Sequence, residues 1–330
     1  MSYNRRNFLN LLARSEPIAD DFWLHVSRTA MACRFEATFP RSEENGIAVA
    51  TEALDEIDRL ESQLTVFRDS SEVSYVNRNA ASGPVEISQS LFDFIVVCKD
   101  LFEQTNGAFD ITSGPLTRCW GFLRREGRLP EATDITRALS FVGSDKLELS
   151  EASRTIRFKN QGVEINLGSI GKGYALDCAA ALMSVRTALL NAGASSMRAI
   201  GSGEHGNGWT IGLRHPRSKF RRLGMLRLRD CALSTSGNEE QFFDYAGRRF
   251  SHIIDPRSGW PAEGVTSVSV VASTAALSDA LATAFFVGGR RLAEEYCSKN
   301  DDILVVMLES DSQVPIVIGK SSGCEGLRDF

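Results

Sequence analysis

The chain has 330 residues, of which 43% are apolar and 24% are charged, and its net charge at pH 7 is −5. This length allows one large unit or two lobes, and the composition is that of an ordinary globular protein. The negative charge argues against a protein that is held on nucleic acid through phosphate contacts. The sequence contains no apolar run long enough to cross a bilayer, so we expect no transmembrane segment.

The N-terminus carries a weak export pattern. Residues 4–9, Asn-Arg-Arg-Asn-Phe-Leu, resemble a twin-arginine signal, but the apolar stretch at residues 8–13 is too short for a signal core. The seven cysteines form no Cys-x-x-Cys pair, which argues against zinc and fits a reducing compartment. We therefore expect a cytoplasmic protein, with export through a degenerate twin-arginine signal as the alternative. Residues 1–27 are interpreted as an N-terminal extension and residues 28–330 as the functional domain.

Apolar periodicity predicts the regular elements. Strands are predicted at residues 28–39, 161–167, 265–272 and 303–308, the third of them half-buried, and residues 196–250 are predicted to be mostly strands and tight turns. Helices are predicted at residues 45–64, 91–104, 174–185, 275–289 and 290–298, whereas residues 65–84 and 108–116 are predicted to be irregular. Strands and helices mix without a steady βαβ alternation and without a linker, which indicates a single α+β unit.

A pair of oxygen ligands lies on the helix predicted from residue 275. Asp279 and Thr283 are four residues apart and therefore share one helix face. A carboxylate next to a hydroxyl suits a hard cation such as Mg²⁺. The alternative is that Asp279 stabilises the helix N-terminus and Thr283 is a packing residue. The sequence leaves both readings open.

Two glycine-rich segments suggest nucleotide sites. Residues 168–173, Gly-Ser-Ile-Gly-Lys-Gly, lack the Ser or Thr of a P-loop after the lysine, yet glycines before a helix N-terminus suit a phosphate. A tight strand-to-helix turn explains this segment equally well. Residues 201–206 match Gly-x-Gly-x-x-Gly but lead into the hairpin signal Asn207-Gly208, so a Rossmann site is excluded.

His252 is a candidate proton acceptor. It lies at the end of a short strand-like run that breaks at Asp255-Pro256. A histidine with a pKa near neutrality can take a proton from an attacking hydroxyl, although a lone histidine is more often structural.

Read in order, several motifs together resemble the FAD:protein FMN transferase family, the ApbE-type flavin transferases, from about Thr29 to Gly289. The motifs are Met31-Ala32-Cys33, Leu64–Phe67, Ser71–Ser74 with Asn77, Gly107–Thr112 with Pro115-Leu116, Asn166–Asp177, Asn191–Gly193, Ser234–Gly237, His252–Gly259, and Asp279 with Thr283. The resemblance implies a two-lobed unit of mostly antiparallel sheet with flanking helices, similar to a T-fold, and a flavin cleft between the lobes.

The resemblance also implies the chemistry. Members use Mg²⁺ and FAD, transfer the FMN moiety to a Thr or Ser hydroxyl of an acceptor protein, and release AMP. The implied metal ligands are Asp279, Thr283 and the carbonyl of Gly171, and His252 with Asp279 would carry catalysis. The implied FAD contacts are Met31, Phe67, Ala108, Phe109, Asp110, Gly168, Lys172, Tyr174 and Ile253. The alternatives are a non-catalytic FAD-binding protein and an FAD pyrophosphatase that gives FMN and AMP.

The sequence departs from the family pattern at several of these positions. Phe67 replaces a tyrosine, and Asn166 replaces an aspartate. Ser169, Gly171 and Ala194 also differ from the usual residues. We expect these departures to affect substrate preference and rate more than fold.

Overall fold

The computed structural model describes residues 22–327, except 44, 204–205, 219 and 239–240. An eight-stranded sheet, antiparallel throughout, forms its centre in the order β1-β2-β6-β7-β10-β13-β14-β15. Its strands are β1 Trp23–Ala30, β2 Cys33–Pro40, β6 Ala188–Ala192, β7 Ser196–Ile200, β10 Ala232–Gly237, β13 Val265–Ala272, β14 Ile303–Glu309 and β15 Ile316–Lys320. The predicted α+β class with a mostly antiparallel sheet is confirmed.

Seven α-helices occur in the described part of the chain. They are α1 Gly46–Leu64, α2 Glu72–Asn79, α3 Gln89–Gln104, α4 Gly114–Cys119, α5 Ala132–Leu139, α6 Gly171–Leu182 and α7 Ala275–Lys299. Helices α1, α6 and α7 pack on one face of the sheet, where their apolar side chains and the inward residues of the strands form the main core. None of the described helices is long and apolar enough to span a membrane.

A smaller sheet covers part of the opposite face. Strands β8 Trp209–Arg214, β9 Arg222–Leu228 and β16 Cys324–Leu327 pair in the order β16-β9-β8. Leu213, Leu226 and Leu228 pack there against Leu233 and Val271 of the large sheet. Strand β13 is therefore buried along its whole length. Its alternating pattern had predicted a half-buried strand, which is wrong because the strand lies between two covered faces.

The remaining elements pack beside the large sheet and are here called the second lobe, although the small sheet described next shares the main core. Strands β3 Val85–Glu86, β4 Leu147–Ser150 and β5 Thr155–Phe158 form a small sheet in the order β3-β5-β4. Helices α4 and α5 and the hairpin of β11 Phe242–Tyr245 with β12 Arg248–Ser251 pack around Trp120. The indole N–H of Trp120 donates to the carbonyl of Gly259 at 2.9 Å, which joins this lobe to the segment after β12.

Several sequence predictions require correction. Residues 28–39 are two strands joined by a turn at Met31-Ala32, and residues 65–84 contain α2. Residues 161–167 form no strand. The helices predicted on either side of Gly289 are continuous apart from a kink at that residue, which has φ 67°. The weak export pattern lies outside the described residues, as do residues 1–21 of the interpreted extension, whereas residues 23–27 belong to β1.

Candidate functional site

A cavity of about 230 Å³, here called the central cavity, lies where the two lobes meet. Five segments line it: the loop after Gly107, the turn before α6, the end of β10, the segment after β12, and α7. Eight of the predicted site residues meet there: Ala108, Asp110, Gly168, Lys172, His252, Ile253, Asp279 and Thr283. The lining also includes Ser169 and Ser236, which the sequence reasoning did not assign to the site. The predicted cleft between lobes thus brings Asp110 and Asp279 to one cavity.

A second cavity of about 350 Å³, the adjoining cavity, contains the other end of the predicted site. Met31, Phe67 and Gly171 line it. Asn166, Gly168 and Lys172 line both cavities, so the two adjoin across the turn that leads into α6. A ligand with two bulky ends and a charged middle fits this arrangement.

Asp279 is buried, with 6% of its surface exposed, and it joins α7 to two other elements. Its Oδ2 accepts the backbone N–H of Gly173 at 3.1 Å, and its Oδ1 accepts the hydroxyl of Ser196 at 3.3 Å. A Cβ atom at position 173 would lie 2.1 Å from the carbonyl oxygen of Ala275. Only glycine therefore allows the first turns of α6 and α7 to approach this closely.

A different aspartate caps α7. Both carboxylate oxygens of Asp177 accept backbone N–H groups of the first turn, from Ala275 and Ala276, at 2.8 Å each. The hydroxyl of Thr274 accepts a third, from Leu277, at 3.2 Å. These bonds are the usual capping interactions of a helix N-terminus. The interpretation that Asp279 stabilises the N-terminus of α7 is therefore not needed, because Asp177 and Thr274 do so. The Asp279 carboxylate borders the central cavity instead.

The oxygens near Asp279 suit a hard cation. The Thr283 hydroxyl is 3.4 Å from that of Ser236 and 3.3 Å from the Asp279 carbonyl. Among the described residues no three His, Cys, Asp or Glu side chains cluster as metal ligands. A Mg²⁺ site here would combine one carboxylate with neutral oxygens, which is an acceptable donor set for this ion.

The predicted third ligand, Gly171, lines the adjoining cavity and not the central cavity that Asp279 borders. It is the first residue of α6, where a carbonyl accepts an intrahelical bond. The N–H of Gly173 belongs to the first turn, where N–H groups have no intrahelical partner, and it donates to Asp279. Ser169, which precedes the helix, lines the central cavity together with Asp279. Metal binding by Gly171 stays a prediction.

The ring orientation of His252 defines its tautomer. Its Nδ1 is 2.9 Å from the carbonyl oxygen of Gln241, which also accepts the His252 backbone N–H at 3.1 Å. A carbonyl can only accept, so Nδ1 carries the proton and Nε2 is the basic nitrogen of the neutral ring. The side chain also meets Phe122 edge to face, with ring centroids 6.4 Å apart. The segment after β12 thus presents an oriented proton acceptor to the cavity.

Asp110 fixes the shape of the loop that carries it. Its Oδ1 accepts from the backbone N–H and hydroxyl of Thr112 at 2.8 and 2.7 Å and from the hydroxyl of Ser144 at 2.7 Å, and its Oδ2 accepts from the N–H of Ser144 at 3.2 Å. Burial raises the pKa of this carboxyl above its ordinary value, and these bonds oppose the rise. Its hydrogen bonds make Asp110 an organiser of the wall of the cavity.

Two predicted FAD contacts face the protein interior. Phe109 is 1% exposed and packs in the main core. Tyr174 stacks on Phe94 of α3 with ring centroids 3.9 Å apart, and burial raises the pKa of its hydroxyl. Neither residue lines the central or the adjoining cavity. Their direct contact with FAD stays a prediction, and their packing already explains them as supports of the site.

The turn that presents Met31 to the adjoining cavity is strained. Met31 and Ala32 have φ values of 48° and 58°, a region that most non-glycine residues avoid. The carboxylate of Glu61 on α1 accepts the N–H of Met31 at 2.7 Å and so holds the turn in place. Such strain at a cavity wall is typical of a functional position.

The central cavity combines a buried carboxylate, an oriented histidine, a lysine and a helix N-terminus, a set of groups that suits an enzyme site for a phosphate-bearing ligand. The ApbE family model matches residues 31–307, and the chain belongs to this family. A FAD:protein FMN transferase of Klebsiella pneumoniae is 32% identical over 72% of this chain and 75% of the relative. One of Rhodobacter capsulatus is 39% identical over 64% of this chain, which spans only 40% of that longer relative.

The solved structures agree with the fold. The ApbE protein of Thermotoga maritima superposes with a TM-score of 0.82 at 27% identity and covers 91% of this chain and 97% of its own. The match includes the second lobe as well as the central sheet, because so little of either chain is left out. The predicted two-lobed fold and the family resemblance are thus confirmed.

Proposed function

We propose that this protein transfers the FMN moiety of FAD to a Thr or Ser hydroxyl of an acceptor protein, with Mg²⁺, and releases AMP. The observation that carries the proposal is that Asp279, Thr283 and His252, from two separate segments, line one cavity with Lys172. The names of the relatives specify FAD, FMN and a protein acceptor. These four side chains supply the metal ligands, the proton acceptor and the cation that FMN transfer to a protein hydroxyl requires.

FAD would occupy both cavities, with its pyrophosphate at the turn that separates them. Gly168 and Lys172 line both cavities, and the positive end of α6 begins at this turn. Lys172 would stabilise negative charge on the phosphates as a point cation. Phe67 and Met31 would hold one ring system in the adjoining cavity, and the loop that Asp110 organises would border the other.

The reaction is a displacement at phosphorus. The oxygen of the acceptor hydroxyl bonds to the phosphorus of the FMN half, the bond from this phosphorus to the AMP oxygen breaks, and AMP leaves. The hydroxyl proton passes to Nε2 of His252, whose Nδ1 proton is held by the Gln241 carbonyl. The Gln241 contact orients the ring for this transfer and stabilises the imidazolium that results.

The residues present fit a bound Mg²⁺. Asp279, Thr283 and the carbonyl of Ser169 or Gly171 would hold the ion, and they supply one charged and two neutral oxygens. When bound, Mg²⁺ neutralises charge on the pyrophosphate as its bond breaks. The Asp279 carboxylate is kept in place for this role by Gly173 and Ser196.

The experiment is incubation of the purified protein with FAD, Mg²⁺ and a panel of Thr-containing peptides, analysed by mass spectrometry. An FMN adduct on a peptide supports the transferase. Free FMN with AMP and no adduct indicates a pyrophosphatase, and unchanged FAD retained by the protein indicates a binder. We expect His252→Gln to lower transfer by about 10²–10⁴-fold, the usual contribution of a general base, without loss of FAD binding.

A further inference from the structure

A third cavity of about 820 Å³, here called the lateral groove, lies on the face of the large sheet opposite α7. It runs between β6, β7 and β10 on one side and the end of β8 on the other, and Asn191, Ala194, Met197 and Arg214 are among its lining residues. Thr235 and Gly237 at the end of β10 line both the groove and the central cavity. The groove and the central cavity therefore adjoin at the end of β10, and no residue of the proposed FAD site lines the groove.

The loop that borders the groove is strongly basic. Residues 205–229 contain no Asp or Glu, although the whole chain has a net charge of −5. Arg214, Arg217, Arg221 and Arg222 are exposed at the β8–β9 turn, here called the basic loop. In the described part of the chain none of these four arginines pairs with a carboxylate. Within the described residues these four guanidinium groups therefore make a local positive field that attracts an anion.

The basic loop is anchored rather than loose. Arg217 donates to the hydroxyl of Thr266 at 3.0 Å and to the carbonyl of Ser310 at 2.6 Å, and both of these partners are neutral. The backbone N–H of Arg217 donates to Nδ1 of His215 at 3.1 Å. His215 is buried, and burial with the neighbouring arginines lowers its pKa, so it stays neutral and holds the turn. These bonds hold residues 215–217 of the loop, and with them the Arg217 guanidinium, in a preformed arrangement.

We propose that the basic loop and the lateral groove bind the acceptor protein through an acidic, extended segment next to the Thr or Ser that receives FMN. The inference rests on the proposed function, because it assigns the place where that acceptor docks. Charge complementarity selects an acidic segment. A segment that lies in the groove would place its Thr or Ser in the central cavity at the end of β10. Among the described residues that line the groove, the one carboxylate is that of Glu36, which is paired with Arg34 at 2.5 Å.

An anionic membrane is the other surface that a basic loop could meet. Phe220, next to the arginines, is 99% exposed and has the character of an interfacial residue. A flat bilayer, however, leaves the groove empty and does not bring a hydroxyl to Gly237. The structure therefore favours a peptide segment, and vesicles become an arm of the test.

The test compares peptides of equal length that carry one central Thr and differ only in flanking residues, Asp and Glu in one and Asn and Gln in the other. Binding is measured by fluorescence anisotropy without FAD, and transfer is measured with FAD and Mg²⁺, at low and high salt. We expect the acidic peptide to bind more tightly and to have a KM about tenfold lower at low salt, with the difference reduced by salt.

Two variants locate the site. Arg221→Glu with Arg222→Glu should raise the KM for the acidic peptide by about tenfold and leave kcat nearly unchanged. The two substitutions remove two attractive surface charge contacts and replace them with repulsive ones, which accounts for a change of this size. Arg41→Glu with Arg291→Glu, at two exposed residues that do not line the groove, changes net charge equally and should have no effect. Ala194→Trp should narrow the groove and raise the KM for both peptides, and Ala152→Trp on an exposed loop is its control.

The outcomes separate the two proposals. Transfer to both peptides with equal KM, unchanged by Arg221→Glu with Arg222→Glu, overturns the docking site and leaves the transferase intact. Binding of the acidic peptide that the loop variants weaken, without any FMN adduct, supports the docking site and counts against the transferase. Binding to phosphatidylserine vesicles that the same variants abolish, with no preference between peptides, overturns the acidic segment in favour of a membrane.

Discussion

The backbone N–H of Gly173 donates to the Asp279 carboxylate at 3.1 Å and so fastens the start of α6 to α7 at the central cavity. The contact is possible because position 173 has no side chain, since a Cβ atom there would lie 2.1 Å from the carbonyl oxygen of Ala275. One glycine thus determines both the packing of two helices and the position of the carboxylate at the site.

Gly173→Ala should therefore destabilise the fold by about 1–3 kcal/mol through overpacking between the helices, and it should also lower transfer. Gly171→Ala is the matched control in the same helix. Its Cβ would lie 3.9 Å from Leu167, an ordinary contact, so it should stabilise the helix by about 0.5–1 kcal/mol. Denaturant unfolding measures both. Equal stability of the two variants would contradict the role given to Gly173.

Asp110→Asn should reduce stability by about 1–3 kcal/mol, because the amide replaces an acceptor oxygen with a donor that faces the donors of Thr112 or Ser144. Asp145→Asn, at an exposed carboxylate one residue after Ser144, is the control and should change little. Denaturant unfolding of the two variants against wild type measures the difference. An effect of Asp110→Asn no larger than that of Asp145→Asn would contradict this role of Asp110.

The same carboxyl predicts a pH dependence. Burial raises the pKa of Asp110 above its ordinary 3.8, so the folded state binds this proton more tightly than the unfolded state does. The resulting stability is fully present below pH 3.8 and is lost as pH rises through the raised pKa. The difference in unfolding free energy between wild type and Asp110→Asn should thus be larger near pH 4 than near pH 7. If the difference in unfolding free energy between wild type and Asp110→Asn grows with pH instead, the pKa of Asp110 is not raised in the folded state.

Phe67→Tyr should strengthen FAD binding. The ring is 73% exposed at the wall of the adjoining cavity, so a hydroxyl adds no buried polar group, and it supplies a hydrogen bond worth about 0.5–1.5 kcal/mol to a bound ligand. The KM for FAD should fall by about two- to tenfold at unchanged protein stability. Phe22→Tyr, at another exposed ring, is the control. A KM that does not move would show that the ring at position 67 does not meet the ligand.

The elements missed in the sequence share a physical cause. The turn at Met31-Ala32 lacks the Asn-Gly pair that usually marks such hairpins, so its two strands read as one. The short helix α2 was hidden because its polar residues outnumber its buried Val73 and Val76. Its cap was visible in principle, since Ser71 accepts the N–H of Ser74 at 3.0 Å. Long helices such as α1 were predicted well because their apolar periodicity extends over several turns.

The site was predictable where a motif carries the chemistry and unpredictable where partners are distant in sequence. Asp279 and Thr283 share a face at helical spacing, but Ser196, which donates to Asp279, lies on a remote strand and gives no sequence signal. The capping role considered for Asp279 belongs to Asp177, 98 residues before the N–H of Ala275 that it accepts. Such pairings depend on how α6 packs on α7, which local periodicity does not encode.

Asp279→Asn tests the metal site itself. Asparagine keeps the size of the side chain, and its amide can still accept from the N–H of Gly173 and donate to the hydroxyl of Ser196, so the loss of stability should be about 1 kcal/mol at most. The negative charge that a hard divalent cation requires is lost. Transfer should fall on the order of 10²-fold or more, since metal stabilisation of the reacting phosphate is worth several kcal/mol. Calorimetric titration with Mg²⁺ should show weakened binding of the ion, while flavin fluorescence still reports bound FAD.

Asp177→Asn is the matched control for Asp279→Asn, and it should show the opposite pattern. We expect a loss of stability of about 0.5–2 kcal/mol through the weakened helix cap, with transfer retained. Near-normal Mg²⁺-dependent transfer by Asp279→Asn would remove the metal site at α7, and with it the main physical reason to regard the central cavity as catalytic.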